Sequence, residues 1–534
     1  MAEKASLAAL RPTATPGQIL PYTASRLPEK VGLIIGDRRL TYRELDDLSS
    51  HVAASLISRG IRTGDVVSLY GQNSWQWIVS YHGALKAGAV VNPVNVMLTG
   101  PELAYVLNDC NAKAILAGAA QAATVAAILD DVASVQLACS FGAADSALHI
   151  QKLLPWDDFL SSNIGSEAIA VASPQPRDLC SIGYTSGTTG HPKGAMQSHQ
   201  SVLLNCALTA TMHGRAEDEI TVTALPAAHV YGNVAINSTF LVGGTVVLME
   251  RFDAAETLRL IQQERATMFE GVPAMYSMIL AAPDFPIAEL ASLRKSTIGG
   301  QTFSPTITER WQARVAGPVL ALWGMTEVAG LGTTHALHSP AVPGSIGIAL
   351  PGFDVKIAPI DGSAGDVPPG AMGELVVRGP LVMLGYHNRP EATAEVLGPD
   401  GWLRTGDVAY ADESGHFFVV DRLKDMILTA GYNVYPAEIE RVICDHADVT
   451  MAAVGKRPDD IKGEVAVAYV VPASGSTLDA SALIDHCRAN LAAYKCPREV
   501  VFVDELPMTS SGKLMRRRLS EIPHTGGSGL VAIP

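Results

Sequence analysis

Residues 184–194 read YTSGTTGHPKG, and this stretch overlaps the end of an apolar run at residues 179–184. Its glycines allow the backbone to bring amide N–H groups close to an anion, and its hydroxyl groups add further donors. Its lysine adds a positive charge. The stretch therefore predicts a loop that holds nucleotide phosphates, and the residues assigned to it are Thr185, Ser186, Gly187, Thr188, Thr189, Gly190 and Lys193.

Two other interpretations of this loop exist. A cluster of glycine, serine and threonine is often an ordinary surface loop. A Walker P-loop has four residues between its first glycine and a Gly-Lys-Ser/Thr end, but Pro192 stands where the second glycine would have to follow Gly187. The sequence therefore predicts a phosphate loop of another kind.

Four later blocks extend the pattern, namely WGMTE at 323–327, TGD at 405–407, DRLKDMILTAGYN at 421–433 and TSSGK at 509–513. Together with residues 184–194, they resemble the signature blocks of the adenylate-forming superfamily, in the same order. That superfamily holds acyl-CoA synthetases, firefly luciferase and the adenylation domains of peptide synthetases. The resemblance covers residues 15–520, which is nearly the whole chain.

Local patterns indicate alternating helices and strands. Thr41-x-x-Glu44 and Asp253-x-x-Glu256 each predict the start of a helix, and residues 66–70 and 465–471 each predict a strand. A chain of 534 residues exceeds what one hydrophobic core usually serves. The resemblance implies an α/β and α+β fold. In that fold, residues 1–421 form a large N-terminal domain of layered αβ subdomains plus a β-rich subdomain, and residues 422–534 form a small mobile C-terminal α+β domain.

Composition narrows the function classes. The formal net charge is −14, so nucleic acid is not an expected partner. Seven cysteines without a C-x-x-C pair predict reduced thiols in a cytoplasmic protein, and no stretch is long and apolar enough to predict a transmembrane segment. Lys456, Arg457, Lys462 and the arginine run at 516–518 either meet an anionic ligand, such as the phosphates of coenzyme A, or are solvated surface charges.

The resemblance implies nucleotide contacts for residues in several blocks. Glu327 is expected to be an oxygen ligand of Mg²⁺, and Thr326 to donate to the α-phosphate. Trp323 is expected to lie on the adenine, Asp407 to accept hydrogen bonds from the ribose hydroxyls, and Arg422 to add to the ribose and phosphate contacts. The remaining residues expected at the ATP or AMP site are Gly300, Gln301 and Gly324.

The resemblance also implies roles for the C-terminal residues. Lys513 is expected to be the catalytic lysine, which stabilises negative charge as a carboxylate attacks the α-phosphorus. Lys424 corresponds to a hinge, and Gly431 and Tyr432 correspond to the place where coenzyme A passes. One mobile domain would then serve two half-reactions in turn.

Three segments, at 229–233, 299–301 and 324–331, are implied to line the acyl pocket. They contain no lysine and no carboxylate except Glu327, and the first segment lacks the aspartate with which peptide-synthetase domains usually bind an amino group. An amino-acid substrate is therefore disfavoured, and a medium- or long-chain fatty acid or an aryl carboxylic acid is expected. His229 either gates the carboxylate as a catalytic residue or simply packs. The expected acyl-binding residues are His229, Tyr231, Gly232, Asn233, Gly299, Gly300, Met325 and Gly330.

The implied reaction joins a carboxylic acid to ATP, which gives an acyl-AMP and pyrophosphate, and then transfers the acyl group to coenzyme A. ATP, Mg²⁺ and coenzyme A are the expected cofactors and co-substrates. One alternative is an acyl-AMP ligase that serves a carrier protein, although the insertion usual in that group is not visible between Phe417 and Tyr432. A second alternative is a non-catalytic sensor of an acyl ligand. The sequence leaves the formation of a homodimer open.

Overall fold

The structure is a computed structural model. It describes residues 15–141, 152–161, 172–185, 192–303, 305–363, 365, 367–430, 432–459, 461–509 and 514–522. Several residues with predicted roles lie outside these ranges, namely Ser186, Gly187, Thr188, Thr189, Gly190, Gly431 and Lys513.

The strands alternate with helices through most of the chain. In chain order they are β1 (Val31–Ile35), β2 (Arg38–Thr41), β3 (Val66–Tyr70), β4 (Val90–Pro93), β5 (Ala114–Gly118), β6 (Leu137–Phe141), β7 (Leu154–Pro155), β8 (Leu179–Thr185), β9 (Lys193–Ser198), β10 (Ile220–Thr223), β11 (Thr245–Leu248), β12 (Met268–Gly271), β13 (Lys295–Gly299), β14 (Val319–Met325), β15 (Gly330–Thr334), β16 (Ile348–Ala349), β17 (Asp354–Ala358), β18 (Gly373–Arg378), β19 (Gly385–Tyr386), β20 (Leu403–Ala411), β21 (Phe417–Arg422), β22 (Ile427–Thr429), β23 (Tyr432–Val434), β24 (Val449–Asp459), β25 (Gly463–Pro472) and β26 (Glu499–Phe502).

The α-helices complete this alternation. In chain order they are α1 (Ile19–Arg26), α2 (Tyr42–Ser58), α3 (Trp75–Lys86), α4 (Gly100–Asp109), α5 (Ala122–Ile128), α6 (Trp156–Leu160), α7 (His199–Met212), α8 (Val230–Val242), α9 (Ala254–Gln263), α10 (Pro273–Ala281), α11 (Pro305–Gln312), α12 (Pro390–Val396), α13 (Pro436–Cys444) and α14 (Ala480–Asn490).

The two predicted helix starts are confirmed. The Thr41 hydroxyl accepts the N–H of Glu44, and the Glu44 carboxylate accepts the N–H of Thr41, so this capping box begins α2. The Asp253 carboxylate accepts the N–H of Glu256 at the start of α9. These caps depend on residues three positions apart, which is why the sequence alone could predict them.

The first sheet contains the strands on either side of the predicted phosphate loop. Its strand order is β19-β9-β8-β4-β3-β5-β6-β7, and the strands from β8 to β7 in this order run parallel. Strand β9 runs antiparallel to β8 and pairs on its other side with β19. The strands that precede and follow the predicted loop in the sequence are therefore paired with each other.

The second sheet has the order β16-β15-β14-β13-β12-β10-β11-β1-β2. Strands β1 and β10 to β14 are parallel in it, and β15 returns antiparallel to β14. Side chains of both large sheets and of helices α2, α3, α7 and α8 share one hydrophobic core, in which residues such as Val67, Leu45 and Phe269 are buried. This arrangement holds the two sheets as layers of one structure.

The last two sheets are smaller. The third is antiparallel, with the order β17-β18-β20-β21, and it pairs Asp407 with Arg422. In the fourth, β23-β22-β25-β24 are antiparallel neighbours and β26 pairs with β25. Helices α13 and α14 share a separate core with the fourth sheet, in which Ile439 and Ile484 are buried.

The fold class predicted from the sequence is confirmed, since layered αβ sheets, a β-rich part and an α+β part are all present. The boundary at residues 421 and 422 stays a prediction. Within the described part of the chain, no helix is both long and apolar enough to cross a bilayer. All seven cysteines are free thiols.

Candidate active site

One cleft of about 2440 Å³ brings together the ends of β8, β9, β14, β20 and β21. These strands belong to three different sheets, so the cleft depends on the whole arrangement. Most described residues with predicted roles line it, namely Thr185, Lys193, His229, Gly300, Gln301, Trp323, Gly324, Met325, Thr326, Glu327, Asp407, Arg422 and Lys424.

The stem of the phosphate loop is an antiparallel hairpin. Thr185 pairs with Lys193, and the Thr185 hydroxyl donates to the Lys193 carbonyl at 3.4 Å. The Tyr184 hydroxyl donates to the Asp109 carboxylate at 2.6 Å, which ties β8 to the end of α4. A Cβ atom at Gly194 would lie 2.7 Å from Ile182, so glycine allows the strands to pair closely here. The stem is thus fixed by contacts that lie outside the loop.

Tyr386 links Glu327 to Lys193, and no sequence block predicted it. Its hydroxyl donates to Glu327 Oε1 at 2.9 Å, and the Lys193 ammonium lies 5.4 Å from the centre of its ring. Burial and the Glu327 carboxylate raise the pKa of Tyr386, so the hydroxyl remains a donor. The tyrosine therefore orients a carboxylate at one end and meets a cation at its face.

The turn that carries Thr326 and Glu327 is held against the hairpin by polar contacts. The Gln197 amide donates to the Thr326 carbonyl at 2.9 Å, and the Ser181 hydroxyl donates to Gln197 at 2.5 Å. A Cβ atom at Gly183 would lie 2.6 Å from the Thr326 methyl group, so this glycine allows the turn to approach β8. Gln197 and Gly183 gave no signal in the sequence, because their partners lie far along the chain.

Glu327 is suited to a magnesium ion that also binds a nucleotide. Glu327 is 6% exposed, and the hydrogen bond from Tyr386 uses one acceptor position of one carboxylate oxygen. A carboxylate can accept further bonds, and Mg²⁺ commonly takes one or two carboxylates together with phosphate oxygens and water. Within the described ranges, no group of three or more His, Cys, Asp and Glu residues could hold a metal by itself. The donors present thus fit an ion that is shared with phosphates.

Asp407 is the centre of a second polar group. Its Oδ2 accepts the indole N–H of Trp323 at 2.7 Å, and its Oδ1 pairs with Arg422 Nε at 2.5 Å. Asp407 is 2% exposed and Trp323 is 7% exposed. The Asp407 carboxylate raises the pKa of Arg422, which stays a cation. The predicted adenine, ribose and phosphate contacts are therefore adjacent in space.

Four of the eight predicted acyl residues, namely His229, Tyr231, Gly300 and Gly330, line a small side pocket of about 10 Å³. His229 is the N-cap of α8, and its Nδ1 accepts the N–H of Tyr231 at 3.2 Å, which places the proton of a neutral ring on Nε2. The pocket is lined by His229, Val230, Tyr231, Gly300, Leu322, Gly324, Gly330 and Leu331. His229 and Gly300 also line the main cleft, so the side pocket adjoins it.

A buried polar chain lies behind Tyr231. The Tyr231 hydroxyl and the Thr297 hydroxyl are 2.7 Å apart, and Thr297 donates to Glu270 Oε2 at 3.1 Å. Glu270 in turn forms an ion pair with Arg215, and neither side chain is exposed. Because Thr297 gives its proton to Glu270, Tyr231 must donate to Thr297. The Tyr231 hydroxyl thus donates its hydrogen bond to another side chain of the protein.

Three other predicted acyl residues face the interior. A Cβ atom at Gly232 would lie 2.1 Å from the Pro226 carbonyl oxygen, and one at Gly299 would lie 2.3 Å from the Leu322 side chain. The Asn233 side chain accepts the hydroxyl of Tyr81 at 3.3 Å. These residues support close packing beneath the pocket, and their acyl contacts stay predictions.

The basic residues of the C-terminal part are mostly paired. Lys456 pairs with Glu464 at 2.9 Å, Arg457 with Glu499, and Arg518 with Glu521 at 3.0 Å. Arg516 pairs with Glu440 and lies 3.7 Å from Asp425. These contacts favour the interpretation of these basic residues as structural or surface charges over the interpretation as a site for an anionic ligand. Tyr432 stacks on Tyr494 with ring centres 4.6 Å apart, and it is 56% exposed.

Contacts also join the C-terminal part to the cleft. Asp421 Oδ2 accepts the N–H of Ala437 at 2.8 Å, which ties the end of β21 to the first turn of α13. Burial raises the pKa of Asp421 to about 6. Leu514, which follows Lys513 in the sequence, forms a bridge with Met508 and donates its N–H to Gln301 at 3.4 Å. The two described neighbours of the TSSGK block thus lie at the cleft.

Comparison with known proteins agrees with this geometry. The family model of AMP-binding enzymes matches residues 20–387, and that of the AMP-binding enzyme C-terminal domain matches residues 438–513. The chain is 39% identical over 501 residues to a feruloyl-CoA synthase of Amycolatopsis sp, covering 93% of this chain and 96% of that protein. It is 33% identical over 534 residues to a long-chain-fatty-acid–CoA ligase of Bacillus subtilis (strain 168), covering 96% and 95%. Among solved structures, it superposes on the anthranilate CoA ligase AuaEII in complex with anthranoyl-AMP with a TM-score of 0.89 and 26% identity, covering 97% and 98% of the two chains.

Proposed function

This chain belongs to the AMP-binding enzyme family and is an AMP-forming acyl-CoA ligase, and we propose that its substrate is an aromatic carboxylic acid. The observation that carries this substrate class is the buried polar chain of Thr297, Glu270 and Arg215 behind Tyr231. Two of the three similar proteins described above have names that refer to aromatic acyl groups.

The buried polar chain behind Tyr231 limits the length of the acid. Tyr231 is 5% exposed, and behind it lie Thr297, Glu270 and Arg215, which are fully buried or nearly so. A long alkyl chain that continued past Tyr231 would have to displace a hydrogen-bonded ion pair and leave its charges unpaired. That loss is strongly unfavourable in a buried site. A short, flat acid can instead end on the tyrosine ring, where aromatic groups pack well.

The nucleotide roles follow the resemblance and are supported by the geometry of the cleft. The hairpin loop and Lys193 hold the phosphates, Asp407 receives the ribose hydroxyls, and Trp323 lies beside the adenine. Glu327, oriented by Tyr386, is the ligand of Mg²⁺. Bound Mg²⁺ neutralises negative charge on the phosphate oxygens.

Two bond exchanges make up the reaction. A carboxylate oxygen of the acid bonds to the α-phosphorus as the bond to pyrophosphate breaks. Lys513 stabilises the charge that develops there. The sulfur of coenzyme A then bonds to the acyl carbon as the bond to AMP breaks. In this step the pantetheine arm passes Gly431 and Tyr432, and the chain turns at Lys424. His229, at the entrance to the side pocket, contacts the acid carboxylate.

A panel of acids tests the substrate class. Hydroxycinnamic, benzoic and indoleacetic acids and straight-chain acids of six to eighteen carbons are each supplied with ATP, Mg²⁺ and coenzyme A. We expect the best aromatic acid to exceed the best straight-chain acid in kcat/KM by about tenfold or more, because about 1.4 kcal/mol of differential binding is enough for that ratio. A reversed order would contradict the aromatic proposal and favour a fatty acid, as in the long-chain relative.

The same assay separates the two alternative functions. An acyl-AMP ligase would release pyrophosphate but would form no thioester with free coenzyme A. A sensor would release no pyrophosphate with any acid. A cytoplasmic location and the oligomeric state stay predictions from the sequence.

A further inference from the structure

The Trp323 indole is fixed by two neighbours at once. A Cβ atom at Gly332 would lie 2.5 Å from Cζ3 of the indole, so the benzene part of the ring occupies space that only a glycine leaves. At the opposite edge, the indole N–H donates to Asp407 Oδ2 at 2.7 Å. Strands β14, β15 and β20 thus meet at this side chain, although they belong to two different sheets.

The Asp407 carboxylate is held from both sides, but the two donors differ. Arg422 reaches Oδ1 with a side chain that is 41% exposed and lies two residues before the expected hinge Lys424. Trp323 is 7% exposed and comes from the core of the second sheet. The indole is therefore the more buried donor of the pair, and the second sheet holds it in place.

We propose that the indole N–H of Trp323 positions the Asp407 carboxylate to receive the two ribose hydroxyls of ATP, and that it thereby sets the preference for a ribonucleotide. Each carboxylate oxygen can accept two hydrogen bonds, and each has one taken by the protein. With the plane of the carboxylate fixed, the remaining acceptor sites point in defined directions. This inference rests on the proposed function, in which Asp407 binds the ribose. Trp323 acts here through Asp407 and is a positioning residue.

The test compares ATP with 2′-deoxy-ATP and 3′-deoxy-ATP in pyrophosphate release, using an acid that the wild type accepts. Trp323→Phe keeps an aromatic ring and removes the N–H. We expect the ratio of kcat/KM for ATP over each deoxynucleotide to fall about tenfold, because a hydrogen bond to a charged group is lost. Gly332→Ala, which would push the indole away from Asp407, should lower the ratio in the same direction.

Trp311→Phe is the matched control. Trp311 is also fully buried, and its indole N–H makes one hydrogen bond, to the Ser296 hydroxyl at 3.0 Å. The Trp311→Phe variant should lose thermal stability but keep the wild-type ratio of kcat/KM for ATP over each deoxynucleotide. The inference is overturned if Trp323→Phe lowers activity with all three nucleotides equally, or if Trp311→Phe changes the ratio as much.

A further variant separates this inference from the function on which it rests. Asp407→Asn should abolish most of the ribose preference. If it does not, while the wild type makes acyl-AMP, the ribose role of Asp407 is wrong. If the wild type releases no pyrophosphate with any acid, the proposed function itself fails.

Discussion

Replacing Tyr386 by phenylalanine removes the hydroxyl that donates to Glu327 and leaves the ring facing Lys193 in place. A hydrogen bond to a charged group contributes about 1.5–3 kcal/mol, and we take about 1.5 kcal/mol because Tyr386 is only partly buried. The expected result is about a tenfold decrease in kcat/KM for MgATP in pyrophosphate release, because about 1.4 kcal/mol corresponds to a factor of ten. The Mg²⁺ concentration needed for half-maximal activity should rise in parallel.

Tyr42→Phe is the control for this variant. The Tyr42 hydroxyl donates to the Gly244 carbonyl in the core, away from the cleft, and the residue is not exposed. This control should lower the free energy of unfolding and leave the constants for MgATP unchanged. A folded Tyr386→Phe enzyme with wild-type kcat/KM and Mg²⁺ dependence would refute the claim that Tyr386 orients Glu327.

Three more variants have defined outcomes. Glu270→Ala leaves the Arg215 guanidinium buried without its partner, so urea unfolding should show a loss of about 3–5 kcal/mol, and a loss below about 1 kcal/mol would contradict the importance of the pair. Lys513→Ala should reduce acyl-AMP formation by about a hundredfold or more but spare thioester formation from supplied acyl-AMP, whereas equal loss of both steps would indicate a structural role. The folded pKa of Asp421, about 6, lies above the ordinary value, so its contribution to stability is present below about pH 4 and is lost as pH rises through 6. Asp421→Asn should therefore gain about 3 kcal/mol relative to the wild type between pH 4 and pH 7 in urea titrations, and parallel pH curves would contradict the raised pKa.

Elements that depend on neighbours in the sequence could be predicted. The capping box at Thr41 and the strand at residues 66–70 appear where expected, because a cap and an apolar run are encoded within a few residues. The order of strands in the sheets could not be predicted in this way. Strand β10 lies between β11 and β12, and this order depends on how whole layers pack.

The candidate site also contains residues that the sequence could predict and residues that it could not. Most described residues to which the signature blocks assigned a role line the cleft, because each block is continuous in the sequence. The residues that fix those side chains were missed. Tyr386 acts on Glu327 across 59 positions, and Gln197 acts on Thr326 across 129 positions. Glu270 lies within the short apolar strand β12, where no local pattern indicates that a carboxylate pairs with Arg215.

The hydrogen bond between Asp421 and Ala437 opposes any rotation of the C-terminal part about Lys424. The two residues lie on either side of that position, so a motion that carries α13 away from β21 must break their hydrogen bond. The separated carboxylate would enter water, and its pKa would fall from about 6 toward that of an ordinary aspartate. Between about pH 4 and pH 6, departure from the present arrangement would thus release a proton, and a rise of pH through that range would favour the swung-out form.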